Sequence, residues 1–313
     1  NLSGAGSVVQ VSGNAEMAPY VAVGRDGAVG NLHITQGAQL LLSSQHVSAP
    51  SFPLYNNGEA LIVDVGRRSS GTDGLASTGT VTVSGSGSAF VASGAADTLL
   101  QIGSTVGTVP GSTQGTVTVE AGAVLRGFQT GLLGSGLGAV GLLNVDAATA
   151  SFTGVRNGGP GAGQGPVVVI GRGNGTGVVN LTHGALLEVV ADPGVQGAAL
   201  QLGGTTNVPG GGTGILNLSG GSTASVRGDR ATMVVGRAGA ANQPPGLGFV
   251  SLAGTGDRVE VLGAGSRVLV GAAALTQGQV TIGQGAVLET DGLVGVAHDG
   301  TSDTQGIGTV TVN

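Results

Sequence analysis

The chain has 313 residues, 65 of them Gly, with 9% charged, 2% aromatic, no Cys, no Trp and a formal net charge of −6. Its 40% hydrophobic content excludes a disordered chain, and Gly without a strict three-residue period excludes a collagen helix. Eleven Lys plus Arg give no basic stripe for nucleic acid or an anionic membrane, and no apolar run reaches the ~20 residues of a membrane-spanning helix.

In chain order, the first apolar phrase is "SVVQV" at 7–11, followed by "VAVG" ending at Gly24, "GNLHI" at 30–34 and "GAQLLL" at 37–42. The "VAVG" type returns as "VDVG" to Gly66, "LQIG" to Gly103, "VVIG" to Gly171 and "VLVG" to Gly271. The "GNLHI" type returns as "GTVTV" at 79–83, 115–119 and 308–312, and as "GLLNV" (141–145), "GVVNL" (177–181), "GILNL" (214–218), "GFVSL" (248–252) and "GQVTI" (278–282). "SVVQV" reads as a tenth copy, with Ser7 in place of Gly. The third and fifth positions are aliphatic and the fourth is polar, the period-2 signature of a half-buried strand. The Gly needed to open each phrase is expected to support turn geometry.

A third strand follows each of these, as in "GAVLRG" (122–127) and "GALLEV" (184–189). Alternation places Ala38, Ala123, Ala185, Ser222 and Ala286 inward, and likewise Leu40, Leu125, Leu187, Ala224 and Leu288. One extra turn residue in the remaining copies brings Phe90, Phe152 and Val259 into the lane of the leucines. Spacings between successive "VxVG" glycines run from Gly271–Gly295 at the short end to Gly24–Gly66 at the long end, as expected of one stacked unit with variable loops. The chain therefore reads as all-β: a single right-handed parallel β-helix, a three-sided β-solenoid of about nine to ten coils, spanning 1–313. The longest loops, 67–78, 237–247 and the insertion at 45–60, project from its corners.

The succession of an apolar triplet plus Gly, a Gly-rich loop and "GTVTVEAGAVL" resembles the repeat of type V secretion (autotransporter) passengers and of PEP-CTERM-associated bacterial surface proteins. The resemblance covers Val21 to Val312. It implies export by a Gram-negative bacterium and display outside the cell or on the outer-membrane surface, as an adhesive rod in adhesion, aggregation or biofilm. It also implies that this chain is part of a longer exported protein.

The sequence nominates few residues for chemistry. Glu120 and Asp146 each follow a "GTVTV"-type strand and are expected to stack in adjacent coils, where mutual repulsion raises one carboxyl toward a general acid. They are the only catalytic pair offered for an alternative reading as a polysaccharide lyase or hydrolase; the favoured reading is not an enzyme. Arg25, Arg67, Arg172 and Arg237 each follow a "VxVG" glycine and are expected at one corner, as solvated side chains or as contacts for an acidic partner. Leu142, Val178 and Ile215 occupy outward positions in three consecutive coils, an apolar strip that is covered by a loop or forms an interface. "GLGAVG" (136–141) lacks the helix a dinucleotide site needs, His33 and His183 read as surface residues, and Asp299 and Asp303 flank an ordinary turn. No cofactor or metal is expected. The partners are a surface glycan or protein receptor, or copies of the chain itself, assembled as a fibre or surface layer.

Overall fold

The computed structural model describes residues 1–14, 19–45, 61–69, 75–94, 98–106, 112–156, 163–204, 210–237, 245–272, 276–297 and 306–313. Among them every regular element is a strand, and the strands fall into three parallel sheets visited in turn. Sheet A has ten strands, from Leu2–Ser3 to Ile307–Val312; sheet B has nine, from Val8–Gly13 to Val287–Thr290; sheet C has nine, from Tyr20–Arg25 to Leu293–Val296. Each circuit of A, B and C is one coil of a three-sided parallel β-helix.

The register is set by the repeated phrases. Gly79, Gly115, Gly141, Gly177 and Gly214 lie opposite one another in sheet A, and Val81, Val117, Leu143, Val179 and Leu216 form an inward column beside them. Leu200, Leu202, Val168 and Ile170 of sheet C and Leu125, Leu187 and Phe90 of sheet B close the same core, all fully buried. Burying such a side chain stabilises the fold by roughly 1.5–3 kcal/mol, so the columns collectively hold the coils together. The columns meet solvent at the last coil, where inward Val294, Val296 and Val312 are 47%, 43% and 71% exposed.

Two details differ from the sequence reading. "SVVQV" is not a sheet A strand: Val8–Gly13 pairs with Gln39–Ser44 in sheet B, and the first sheet A strand is the short Leu2–Ser3, opposite Ile34 and Thr35. Period-2 alternation is identical in the two sheets, so it cannot assign a strand to one of them. Phe90 and Val259 do join the leucine lane, but Phe152 does not. The turn from Asp146 to Thr149 is one residue shorter than that from Glu120 to Val124, so Ala150 stands opposite Leu125 and Leu187. Phe152 moves one inward position along, opposite Phe128 and Val189. A register shift between Arg126 and Phe128 turns Phe128 inward, where its ring meets Phe90 edge-on at 5.7 Å and Phe152 at 6.5 Å.

The glycines between sheets C and A serve a purpose other than turning. Gly66, which ends "VDVG", has φ 65°, and a Cβ on it would lie 2.0 Å from the Gln114 carbonyl oxygen. Gly79, which opens "GTVTV", lies outside the left-handed region, yet a Cβ there would lie 2.2 Å from the Gly66 nitrogen. The opening Gly is thus required by the contact between two backbones, which corrects the expectation that it serves the turn. The two chain ends of the C-to-A loops from Gly24–Gly30 to Gly271–Gly278 are pinched together at this line of glycines; in the last coil Ala297 takes the place on it that the repeat assigned to Gly295, which stands opposite Leu269.

Candidate functional site

Glu120 and Asp146 are register neighbours on adjacent sheet A strands, as the repeat requires. Their chemistry differs from the expectation. Asp146 Oδ1 accepts hydrogen bonds from Thr182 Oγ1 at 2.7 Å and from His183 Nδ1 at 2.5 Å, both in the following coil. The Thr182 hydroxyl, with His183 beside it, holds the Asp146 carboxyl below the usual carboxylate range. A general acid at neutral pH needs the opposite shift, so the anticipated raising by Glu120 is corrected for Asp146. His183 is 77% exposed and sits in a turn with φ 54°. His33 is half-buried in the outward column that continues as Thr82 and Thr118. "GLGAVG" forms the turn into the strand Ala139–Asp146. Asp299 and Asp303 lie outside the described residues, as do most of the insertion at 45–60 and the centres of the loops 67–78 and 237–247.

Arg25, Arg67 and Arg172 do share one corner: they fall in a single register column through Ser104 and Ser135. Arg67 is buried, and Arg25 and Arg172 are half-buried. Arg67 is 5% exposed and its Nη1 donates to Asp64 Oδ2 at 2.8 Å. Arg172 is half-buried and donates from Nε to Ser135 Oγ at 2.8 Å. Arg25 stacks over the Tyr20 ring at 5.1 Å and donates to Asp26 at 2.9 Å and to Ser69 at 2.8 Å. Burial pushes the Arg237 guanidinium below its usual value. The expectation of an outward-reaching partner contact is therefore corrected for Arg67, whose charge is held by a buried carboxylate.

That carboxylate was missed by the sequence reading. Asp64 is fully buried on the outer face of sheet C; its Oδ2 also accepts from the Tyr20 hydroxyl at 2.5 Å, and Arg25 Nη1 donates to that hydroxyl at 2.8 Å. Burial pushes the Asp64 carboxyl up, with the Arg67 charge working against it. The signal was present: among the "VxVG" phrases, "VDVG" alone carries an ionised residue between its two valines.

On sheet A, Leu142, Val178 and Ile215 form one half-buried column, as expected, and it extends to Phe249. Beside it Asn180 donates to Asn144 at 2.9 Å and Asn217 donates to Asn180 at 2.9 Å, an amide ladder across three coils. On sheet C the outward residues Ile62, Leu99, Leu132, Val167, Val169 and Ala199 make a second apolar cluster, buried although it faces away from the core. No protein-family model, curated protein or solved structure matches the chain.

Proposed function

We propose that the chain is a non-enzymatic structural and adhesive rod, secreted or held at a bacterial cell surface, and that it contacts a surface glycan or protein receptor through the outer face of sheet A. The observation that carries this reading is the pairing of two columns on that face: half-exposed Leu142, Val178, Ile215 and Phe249 beside the Asn144–Asn180–Asn217 ladder. An apolar strip next to regularly spaced amides offers both contact area and hydrogen bonds to an elongated ligand. Surface location and adhesion rest on the resemblance to autotransporter passengers. For the polysaccharide-cleaving alternative, the lowered, hydrogen-bonded carboxyl of Asp146 leaves it suited to the part of an ionised base or nucleophile and not to that of the proton donor.

The test is binding of the purified chain to a glycan array and to whole cells, with Leu142→Ser/Val178→Ser/Ile215→Ser as comparison. The reading expects the triple variant to keep its β signal in circular dichroism and to lose binding. Binding that the variant retains removes the sheet A face from the account. Filaments in light scattering make self-assembly the better reading, and new reducing ends or unsaturated products from a polysaccharide make it an enzyme.

A further inference from the structure

Asp64 and Gln101 stand opposite each other on adjacent strands of sheet C, Leu61–Arg68 and Thr98–Thr105, with their neighbours Val63, Val65, Leu100 and Ile102 facing the core. Both side chains therefore point to the outer face, one strand spacing of about 4.8 Å apart. Asp64 Oδ2 is saturated by Tyr20 and Arg67, whereas Asp64 Oδ1 and Gln101 Oε1 are both buried without a hydrogen-bond partner. Two buried acceptors that lack a donor, side by side, are costly, and one proton between them satisfies both.

We propose that Asp64 and Gln101 form a proton-operated clasp between two successive coils: a proton taken from solvent onto Asp64 Oδ1 is donated to Gln101 Oε1. Oδ2 keeps its bonds from Tyr20 and Arg67 in either state, so only the Oδ1 side switches. The charged and titratable groups around Asp64 among the described residues are Tyr20, Arg25 and Asp26 from the preceding coil, and Arg67 and Arg68 on its own strand. The strand of Gln101 carries no ionisable residue, nor do the packed strands Gln39–Ser44 and Ser77–Ser84. Thr113–Glu120 carries only Glu120, at the end away from the Gly66 contact.

Burial favours the protonated form of Asp64 in the fold over the unfolded chain, whose carboxyl sits near 3.8. The clasp is thus fully made below that value and is lost as pH rises through the higher folded midpoint. Acidification tightens this pair of coils.

The experiment is a titration of the carboxyl carbon of Asp64 by carbon-13 NMR on the full chain, with the signal assigned by its absence in Asp64→Asn. The expected midpoint lies above the ordinary carboxylate value, and the side-chain carbonyl carbon of Gln101 shifts with the same midpoint. Gln101→Leu removes the acceptor and lowers the Asp64 midpoint by about 0.5–1 unit, the size of one neutral hydrogen bond. A midpoint that rises in Gln101→Leu overturns the proposal, because it means Gln101 donates its amide N–H to an ionised Asp64. A Gln101 carbonyl that does not follow Asp64 in the wild-type chain overturns it too, and that readout stands even where the variant fails to fold.

Discussion

Sheets A and C have the same inward pattern and opposite outer faces. Val178 and Ile215 of sheet A stay half exposed between polar columns, while Leu99 and Val169 of sheet C, equally outward, are buried. The difference is written in the phrases: "GTVTV" alternates as a strand with one wet face does, whereas "VVVI" runs continuously apolar and "TLLQI" sets Leu99 beside Leu100, as strands covered on both faces do. The core columns explain why the chain forms coils at all. The outward columns are what distinguish one side of the rod from another, and both the proposed contact face and the buried carboxylate lie there.

The strongest test of the comparison removes the line that joins the two sheets. A Cβ on Gly115 would lie 2.2 Å from both the Gly103 nitrogen and the Val65 carbonyl oxygen, with backbone on each side and nothing free to yield. Gly115→Ala is expected to cost about 3 kcal/mol or more, beyond ordinary overpacking, read as loss of the urea transition at its wild-type position. Gly184, in the turn between sheets A and B, has φ 75° and no atom within 4 Å of its Cβ position. Gly184→Ala therefore meets only left-handed strain of about 1–2 kcal/mol. Equal costs at the two sites remove the distinction between a close-contact glycine and a turn glycine.

Truncating outward residues then separates the faces directly. Leu99→Ala opens a cavity on the covered side of sheet C and is expected to cost about 2–5 kcal/mol, although its side chain faces away from the core. Val178→Ala, at an equivalent outward position on sheet A, is expected to cost under about 1 kcal/mol. Denaturation midpoints of the two variants decide whether sheet C carries a second core.

Nearly all of the coil architecture was legible, because a period-2 phrase repeated in register specifies which residues face in. Two placements were not. "SVVQV" carries no mark of its sheet, and Phe152 depends on a turn length that alternation cannot reveal. The stacking of Glu120 on Asp146, the arginine corner and the Leu142 column were readable for the same reason as the fold: equal positions in a solenoid are neighbours. What the side chains do there was not readable, since it depends on partners from other coils. Arg67 finds Asp64 within its own strand, but that pair meets Tyr20 from the coil before, and Asp146 finds Thr182 and His183 from the coil after.

An effect smaller than that of Leu99→Ala is expected within sheet A itself. Asn180 both donates to Asn144 and accepts from Asn217, so Asn180→Ala breaks two half-buried amide bonds, at about 1–2 kcal/mol. Asn144→Ala, at the end of the ladder, breaks one of them and is expected to cost about half as much. Amide hydrogen exchange along the three strands reports whether the loss stays within these coils.

The smallest effect contrasts the sheets by pH. Asp146, at the end of its sheet A strand, has a carboxyl lowered by Thr182 and His183, so its contribution is present above the ordinary value of 3.8 and is lost as pH falls through the lower folded value. Asp64 on sheet C is raised, and its contribution runs the other way. Melting temperatures of Asp146→Asn and Asp64→Asn, each taken relative to wild type between neutral and about pH 3, should therefore change in opposite directions on acidification. The Asp146 variant should approach the wild type as protonation removes the carboxylate's contribution from the wild type, while the wild type gains on the Asp64 variant. Because Asp146 is exposed, its part of the contrast should shrink with added salt, and that of buried Asp64 should not. Parallel pH curves for the two variants would place both carboxyls in the same kind of environment, and the outer faces of sheets A and C would then differ in packing but not in electrostatics.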